Sequence, residues 1–475
     1  MRSTLNNNNN PVMTKHIWLM FLLLPVFAIG QVSNTFLSPQ THAWQIVGQD
    51  TFSAGFAHYI NLVFSPSGEP YVAYLEGVLS KLTMMKYNGN QWAKVGNSDS
   101  VPQGIEELSF VFSPSGQPYV AFVDFGVPPG VNVMKFDGIN WVYVGIPSFS
   151  MGEAHYVSLA FSPTDLDPYV AYVDYSDSAK ITVRKFDGNN WINVGSTGFT
   201  TPEATYVSLA LSSSGEPYVA YQMGGLTSDY NASVMKYDGT NWVHVGNEYI
   251  SPKEADGTTI NFSSSGEPYL AYVDWNYHGA TVKRFDGSDW VDVGLAGFSK
   301  ADAGHLRLAF SPLDHQPSVV YEDGLYSLKA TVMHFNGSQW VNTGNPGFSP
   351  GLVGSTSIAF NPSGIPYVAY SNSAPPFNSK ATVEKFDSVY IGINEHSNPG
   401  FLIYPDPAST KITVRMPEKL EKGELSILNP SGQICMTNIV SGINTTIDIS
   451  TLPSGLYFIR LNNDKKVAVG KFIKQ

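Results

Sequence analysis

The sequence predicts an all-β chain: a seven-bladed β-propeller of four-stranded blades, its ring closed by the N-terminal strand, followed by a small β-sandwich. Three observations predict it. A segment resembling S-P-S-G-x-P-Y-V-A-Y recurs with its proline at Pro70, Pro118, Pro168, Pro217, Pro268, Pro317 and Pro366. A second segment, W-x-x-V-G, places Trp44, Trp92, Trp141, Trp191, Trp242, Trp290 and Trp340 at spacings of 48 to 51 residues. Fixed periods of this size mark solenoids and propellers. The two sets are also circularly offset. Trp44 has no repeat before it, and the last repeat stops at Lys385-Phe386-Asp387-Ser388 without a tryptophan of its own. Residues from Trp44 to Gly48 are expected to complete that last blade, which removes the sheet edges an open array would expose.

Each repeat offers four short strands in order. In the third these are 156–161 (YVSLAF), 168–174 (PYVAYVD), 181–186 (ITVRKF) and 191–195 (WINVG). The P-S-G-E-P and F-D-G segments between strands carry the Gly and Asp that tight hairpins require. Four antiparallel strands per repeat describe a propeller blade. The tryptophans are expected to pack between blades and the P-Y-V-A-Y strands to form the core. In the innermost strand Asn61, Ser109, Ser158, Ser208, Thr259, Arg307 and Ser357 share one position, where convergence on the axis favours small side chains. Arg307 is the outlier, read as a pore-mouth salt bridge or as an anion contact.

Composition agrees with many short strands and turns: 43 Gly and 31 Pro, 13% aromatic and only 14% charged residues in 475. A net charge of −12 without a Lys/Arg cluster excludes a nucleic-acid surface. The single cysteine, Cys435, excludes an intrachain disulfide and a Cys-based zinc site, and it is expected in the core of the C-terminal domain. Residues 1–30 read as a signal peptide: Lys15 and His16, the apolar run Ile17 to Ile29, then small residues at Ala28 and Gly30. Met13 is an alternative start. Residues 31–43 read as a linker, 44–388 as the propeller and 389–397 as a second linker, with no transmembrane segment expected in the mature chain.

From residue 398 to 475 the composition changes. FLIYPDPASTKITV (401–414), ELSILNPSGQICM (424–436), IDISTLPSGLYFIRL (447–461) and the terminal KFIKQ resemble, in order, the blocks of the type A C-terminal sorting domain of Bacteroidota type IX secretion. The resemblance rests on Tyr404, Pro405, Pro407, Gly432, Gly455, Tyr457 and Lys471, with Asp406 where the family usually has Asn. It implies a small β-sandwich recognised by the outer-membrane translocon, and a protein that is secreted or held at the cell surface.

A ligand is expected on the face where second strands end and first strands begin, since loops on a rigid scaffold usually carry function. Two residues past the last aromatic of each P-Y-V-A-Y stand Glu76, Asp124, Asp174, Met223, Asp274, Asp323 and Asn372. Tyr175, Trp275 and Tyr277, with Phe125, Tyr230, Tyr326 and Phe377, flank this acidic ring. Phe52, Phe149, Phe199, Tyr249, Phe298 and Phe348 occupy the loops leading into the blades. Aromatic platforms beside carboxylates suit a glycan or a protein partner. The same pattern also suits turn caps and plugs between blades. No nucleophile elbow, zinc motif, phosphate loop or cofactor fingerprint occurs. The chain is therefore expected to bind without catalysis, and without metal or cofactor. The alternative is a polysaccharide hydrolase or lyase using paired carboxylates of the same face.

Overall fold

A computed structural model of the chain describes residues 40–390 and 401–475, apart from 98–100, 127–128, 151, 225–229, 376–378, 430–433 and 464–465. The expected signal peptide, Phe377, residues 391–397 and Gly432 lie outside the described residues. Two compact units are present among the described residues, one within 40–390 and the other within 401–475.

The larger unit holds seven antiparallel sheets of four strands. Blade one comprises Ala57–Phe64, Pro70–Glu76, Lys81–Tyr87 and Trp92–Lys94, paired in chain order. Blades two to six repeat this plan, their first strands starting at Ile105, Ala154, Ala204, Ala255 and Ala303. Blade seven takes Val353–Phe360, Pro366–Asn372 and Lys380–Tyr390, and its outer strand is Gln40–Ile46 from the other end of the chain. Trp44 lies opposite Phe386, and pairing runs on to Gln40 opposite Tyr390. The strands thus extend a few residues past both expected limits of the propeller, 44 and 388. First strands pack side by side around the whole circle, including blade seven against blade one, so the ring is closed.

Burial explains the repeat. The second strand of each blade is covered on both faces by its neighbours, so P-Y-V-A-Y shows no polar alternation. Tyr74, Tyr172, Tyr221, Tyr272, Tyr321 and Tyr370, with Phe122 in the second blade, are fully buried. Each such ring contributes roughly 1.5–3 kcal/mol when removed from water. The outer-strand tryptophans add a directional bond. Every indole N–H donates to a carbonyl of the preceding blade, as Trp92 to Val47 (2.8 Å), Trp191 to Val144 (2.7 Å) and Trp340 to Val293 (2.6 Å). The F-D-G turns form as the residue types dictate. The Asp137 carboxylate accepts from the amides of Ile139 and Asn140, and Gly138 adopts the left-handed φ of 106° that the turn needs.

The innermost polar position has a structural purpose. Ser109 Oγ accepts from Leu159 N, Ser158 Oγ from Leu209 N, Ser208 Oγ from Ile260 N and Ser357 Oγ from Leu62 N, all at 2.9–3.1 Å. Small hydroxyls here tie four of the first strands to a neighbouring one.

The C-terminal unit is a five-stranded antiparallel sheet of Leu402–Tyr404, Lys411–Leu428, Ile434–Asp448, Gly455–Asn463 and Lys466–Lys474. It is continuously hydrogen-bonded. The register breaks between Arg415 and Gly423, and both halves of the long second strand feed one core through Val414, Leu425, Ile427, Val440, Ile459 and Phe472. Tyr457 is buried, stacks on Phe472 and donates to Pro453 O at 3.0 Å. Asp406 accepts from Ile473 N at 2.8 Å, which accounts for a carboxylate at a position where an Asn would serve equally. Tyr404 and Lys471 are exposed. Cys435, expected in the core, is exposed instead. It follows Ile434, itself exposed at the start of the third strand, so neither residue joins the core.

Candidate functional site

The acidic ring forms, but its carboxylates turn inward. Asp174, Asp274 and Asp323 are only 7%, 1% and 2% exposed. Each accepts from the amide two residues on: Ser176 (3.0 Å), Asn276 (2.9 Å) and Leu325 (3.0 Å). Asn372 does the same for Ala374 N. Glu76 accepts from the amides of Ala54 and Gly55 in the preceding loop and from Thr83 Oγ1. Asp124 accepts from Asn132 Nδ2 at 2.9 Å. Burial raises the carboxyls of Asp124 and Asp274 above their ordinary value. Of the five carboxylates expected as ligand contacts, Asp174, Asp274 and Asp323 cap the turns that follow them, Glu76 braces the loop before blade one and Asp124 accepts from the third strand of blade two. Asp274 also lines a cavity.

The aromatics of the leading loops divide in two. Phe52, Phe149, Phe199, Phe298 and Phe348 stack on Trp92, Trp191, Trp242, Trp340 and Trp44 at 4.1–4.6 Å between ring centres. They plug the blade junctions. Tyr249 does not occupy that position. Ser251, rather than Ile250, accepts the third-strand amide that Ser150 and Ser299 accept in other blades, which places Ile250 at the plug and leaves Tyr249 exposed.

A different set of side chains gathers at the axis. Every first strand is irregular at its third residue, and six of these residues have left-handed φ: Tyr59 (51°), Glu107 (58°), Tyr156 (56°), Tyr206 (51°), Gly257 (59°) and His305 (50°). Such bulges re-aim a side chain, and non-glycine residues hold this conformation only under constraint. Tyr156 and Tyr206 lie 5.1 Å apart between ring centres although they belong to different blades. Burial, then Tyr175 and the carboxylates of Glu107 and Asp256, push the Tyr156 hydroxyl up to about 12. Tyr59 is raised by burial and by Glu107. Residues of blades one, two, three and five thus approach one another where the first strands converge, at the mouth of the ring's axis. Tyr59 and Tyr206 are exposed there. The sequence signal for this ring was available, since Tyr59, Tyr156 and Tyr206 share a repeat position, but strand alternation gives no reason to expect a bulge.

The remaining candidates divide between this mouth and the loops of blade five. Arg307 is two residues below His305 on the same strand and donates to Leu306 O at 2.9 Å. The expected salt bridge does not form with any carboxylate among the described residues, and desolvation holds the guanidinium below its usual value. Tyr175 packs edge-on against His155 at 4.6 Å. His155 in turn lies between Glu107 (3.6 Å) and Glu153 (3.3 Å), which raise its pKa. Trp275 and Tyr277 are exposed on blade five, with Trp275 edge-on to His278.

Solved structures match the chain at low identity. A protein of unknown function from Dyadobacter fermentans is 10% identical with a TM-score of 0.46, covering 73% of this chain and 99% of its own. The SapL1 lectin, solved with alpha methyl fucoside, is 18% identical with a TM-score of 0.42, covering 63% and 97%. An ulvan lyase described as a new polysaccharide lyase family is 12% identical with a TM-score of 0.45, covering 73% and 96%. No curated protein matches the chain in sequence. Residues 402–475 match the secretion system C-terminal sorting domain family. The C-terminal unit is that sorting domain, and it directs the protein through type IX secretion to the outer surface or the extracellular space.

Proposed function

We propose that the protein is a non-catalytic binding protein, secreted or surface-borne, whose propeller recognises a glycan chain at the axial mouth. One observation carries this reading. Three tyrosines, Tyr59, Tyr156 and Tyr206, are presented together on left-handed bulges where the fold alone would be satisfied by glycine, as Gly257 shows. Five non-glycine residues in that conformation cost on the order of 1 kcal/mol each, a persistent strain of the kind that collects at recognition sites. Tyrosine faces cover the C–H surfaces of a sugar, and their hydroxyls exchange hydrogen bonds with its rim. The turn-capping bonds of Asp174, Asp274 and Asp323 favour this reading over a hydrolase or lyase acting through them.

The test is retention of the purified protein on a panel of polysaccharides, with reducing and unsaturated ends assayed in parallel. Retention without products, lost in Tyr156→Ala and Tyr206→Ala, supports the reading. Products would replace it with the enzymatic alternative. Retention on no polysaccharide would leave a protein partner as the occupant of the face.

A further inference from the structure

The junction between blades four and five departs from the other six. Elsewhere two residues fill the space over the outer-strand tryptophan: a phenylalanine from the leading loop, and a third-strand residue that is methionine in four blades (Met85, Met134, Met235 and Met333). Blade two keeps Met134 and replaces the phenylalanine by Val101, and both side chains are buried. Blade three replaces the methionine by Arg184 but keeps Phe149, and the guanidinium packs over that ring and donates to its carbonyl. Blade seven has Glu384, bonded to the Tyr370 hydroxyl, and keeps Phe348. Blade five alone changes both, to Ile250 and Lys283.

The consequence is a cavity of about 260 Å³ lined by Tyr249, Ile250, Asp274, Tyr277, Lys283 and Asp292, among others. Trp290, like Trp44 at the closing seam, is only half-buried, where Trp92, Trp141, Trp191, Trp242 and Trp340 are buried. Inside the cavity Lys283 Nζ pairs with Asp292 Oδ1 at 2.6 Å, the lysine largely covered and the aspartate open. Tyr249 and Tyr277, 55% and 53% exposed, form the rim.

We propose that this junction is a second recognition site, separate from the axial mouth, that takes one neutral pyranose unit. The Lys283–Asp292 pair offers a donor and an acceptor side by side, the pattern that two adjacent sugar hydroxyls present. The tyrosines of the rim supply a face for the C–H surface of the ring. Two carboxylates against one ammonium leave the cavity net negative, which selects against a uronate or a sulfated sugar. The volume matches a single ring rather than a chain.

The test restores the repeat. Ile250→Phe and Lys283→Met install residues that other blades carry at these positions, so the fold is retained while the cavity closes. Saturation-transfer NMR on the whole protein, with glucose, galactose, mannose, fucose and N-acetylglucosamine as separate probes and glucuronate as the anionic comparison, reads occupancy directly. The expected result is transfer to at least one neutral sugar, at least tenfold weaker binding of glucuronate, loss of transfer in both variants with Tm equal to or above the parent, and full retention in Tyr206→Ala. Transfer to no neutral sugar, or transfer unchanged in Ile250→Phe, overturns the proposal. Polysaccharide retention at the mouth is scored separately, so either site can fail without the other.

Discussion

The indole N–H of Trp44 donates to the backbone carbonyl of Thr343 at 2.9 Å, joining the first strand of the propeller to its sixth blade 299 residues later. The same ring stacks on Phe348 at 4.1 Å. The hydrogen bond repeats the one every other blade makes with a neighbour formed nearby in sequence, and the stack repeats that of blades one, three, four and six. Closing the ring through the N-terminal strand therefore gives Trp44 the same energetic weight as an internal tryptophan. Trp44→Ala is expected to cost about 3 kcal/mol, comparable to Trp141→Ala, since both remove a large packed ring and its hydrogen bond. Chemical denaturation of the two variants side by side checks this. A loss for Trp44→Ala under about 1 kcal/mol would mean that the ring tolerates an open seventh blade.

The repeat, the blade count and the seam through Trp44 were all legible in the sequence because they rest on burial, which imposes the same residue types at every turn of the ring. The loop face was less legible. A carboxylate at a strand end reads identically whether it caps its own turn or faces solvent, and Asp174, Asp274 and Asp323 do the first. Tyr249 shows a second limit. It sits one residue from the aromatic repeat position, and only the amide that Ser251 accepts fixes the register. The bulges were hidden for a third reason, because left-handed φ at Tyr59 or Tyr206 contradicts local preference and is imposed by the tertiary structure.

The capping role of the acidic ring has a direct consequence. Asp323 holds the turn formed by Gly324–Tyr326 by accepting from Leu325 N. Asp323→Ala removes that acceptor from a buried position and is expected to lower stability by about 1–2 kcal/mol. Polysaccharide retention should stay within twofold of the parent when assayed well below the unfolding temperature. A large fall in retention with unchanged stability would return Asp323 to the ligand-contacting role expected of it from sequence.

His58 and His155 occupy the same repeat position but are shifted in opposite directions. Burial holds His58 below its ordinary 6.5, whereas Glu107 and then Glu153 raise His155 above it. The His155 contribution is complete below the unfolded value near 6.5 and disappears as pH rises through the raised folded value. The His58 contribution is complete above 6.5 and is lost as pH falls through the depressed one. His155→Gln is thus expected to destabilise more at pH 5 than at pH 8. His58→Gln should flatten the loss of stability that the parent shows on acidification. Thermal melts at the two pH values give the signs, and NMR titration of the two imidazoles gives the order of protonation, His155 first as pH falls.

Tyr206 separates recognition from stability. Its φ of 51° is a conformation that glycine adopts without strain, as Gly257 does at the equivalent place in the next blade. Tyr206→Gly relieves that strain, worth about 1 kcal/mol, while giving up the contact with Tyr156 and a partly exposed ring. The two effects oppose each other, so stability is expected to change by less than about 1 kcal/mol in either direction. Retention on a polysaccharide ligand should nevertheless fall at least tenfold, because the glycine presents no surface to a sugar. A variant that loses several kcal/mol would show that the tyrosine is held for packing. One that keeps both stability and retention would remove Tyr206 from the site and leave Tyr59 and Tyr156 to carry it.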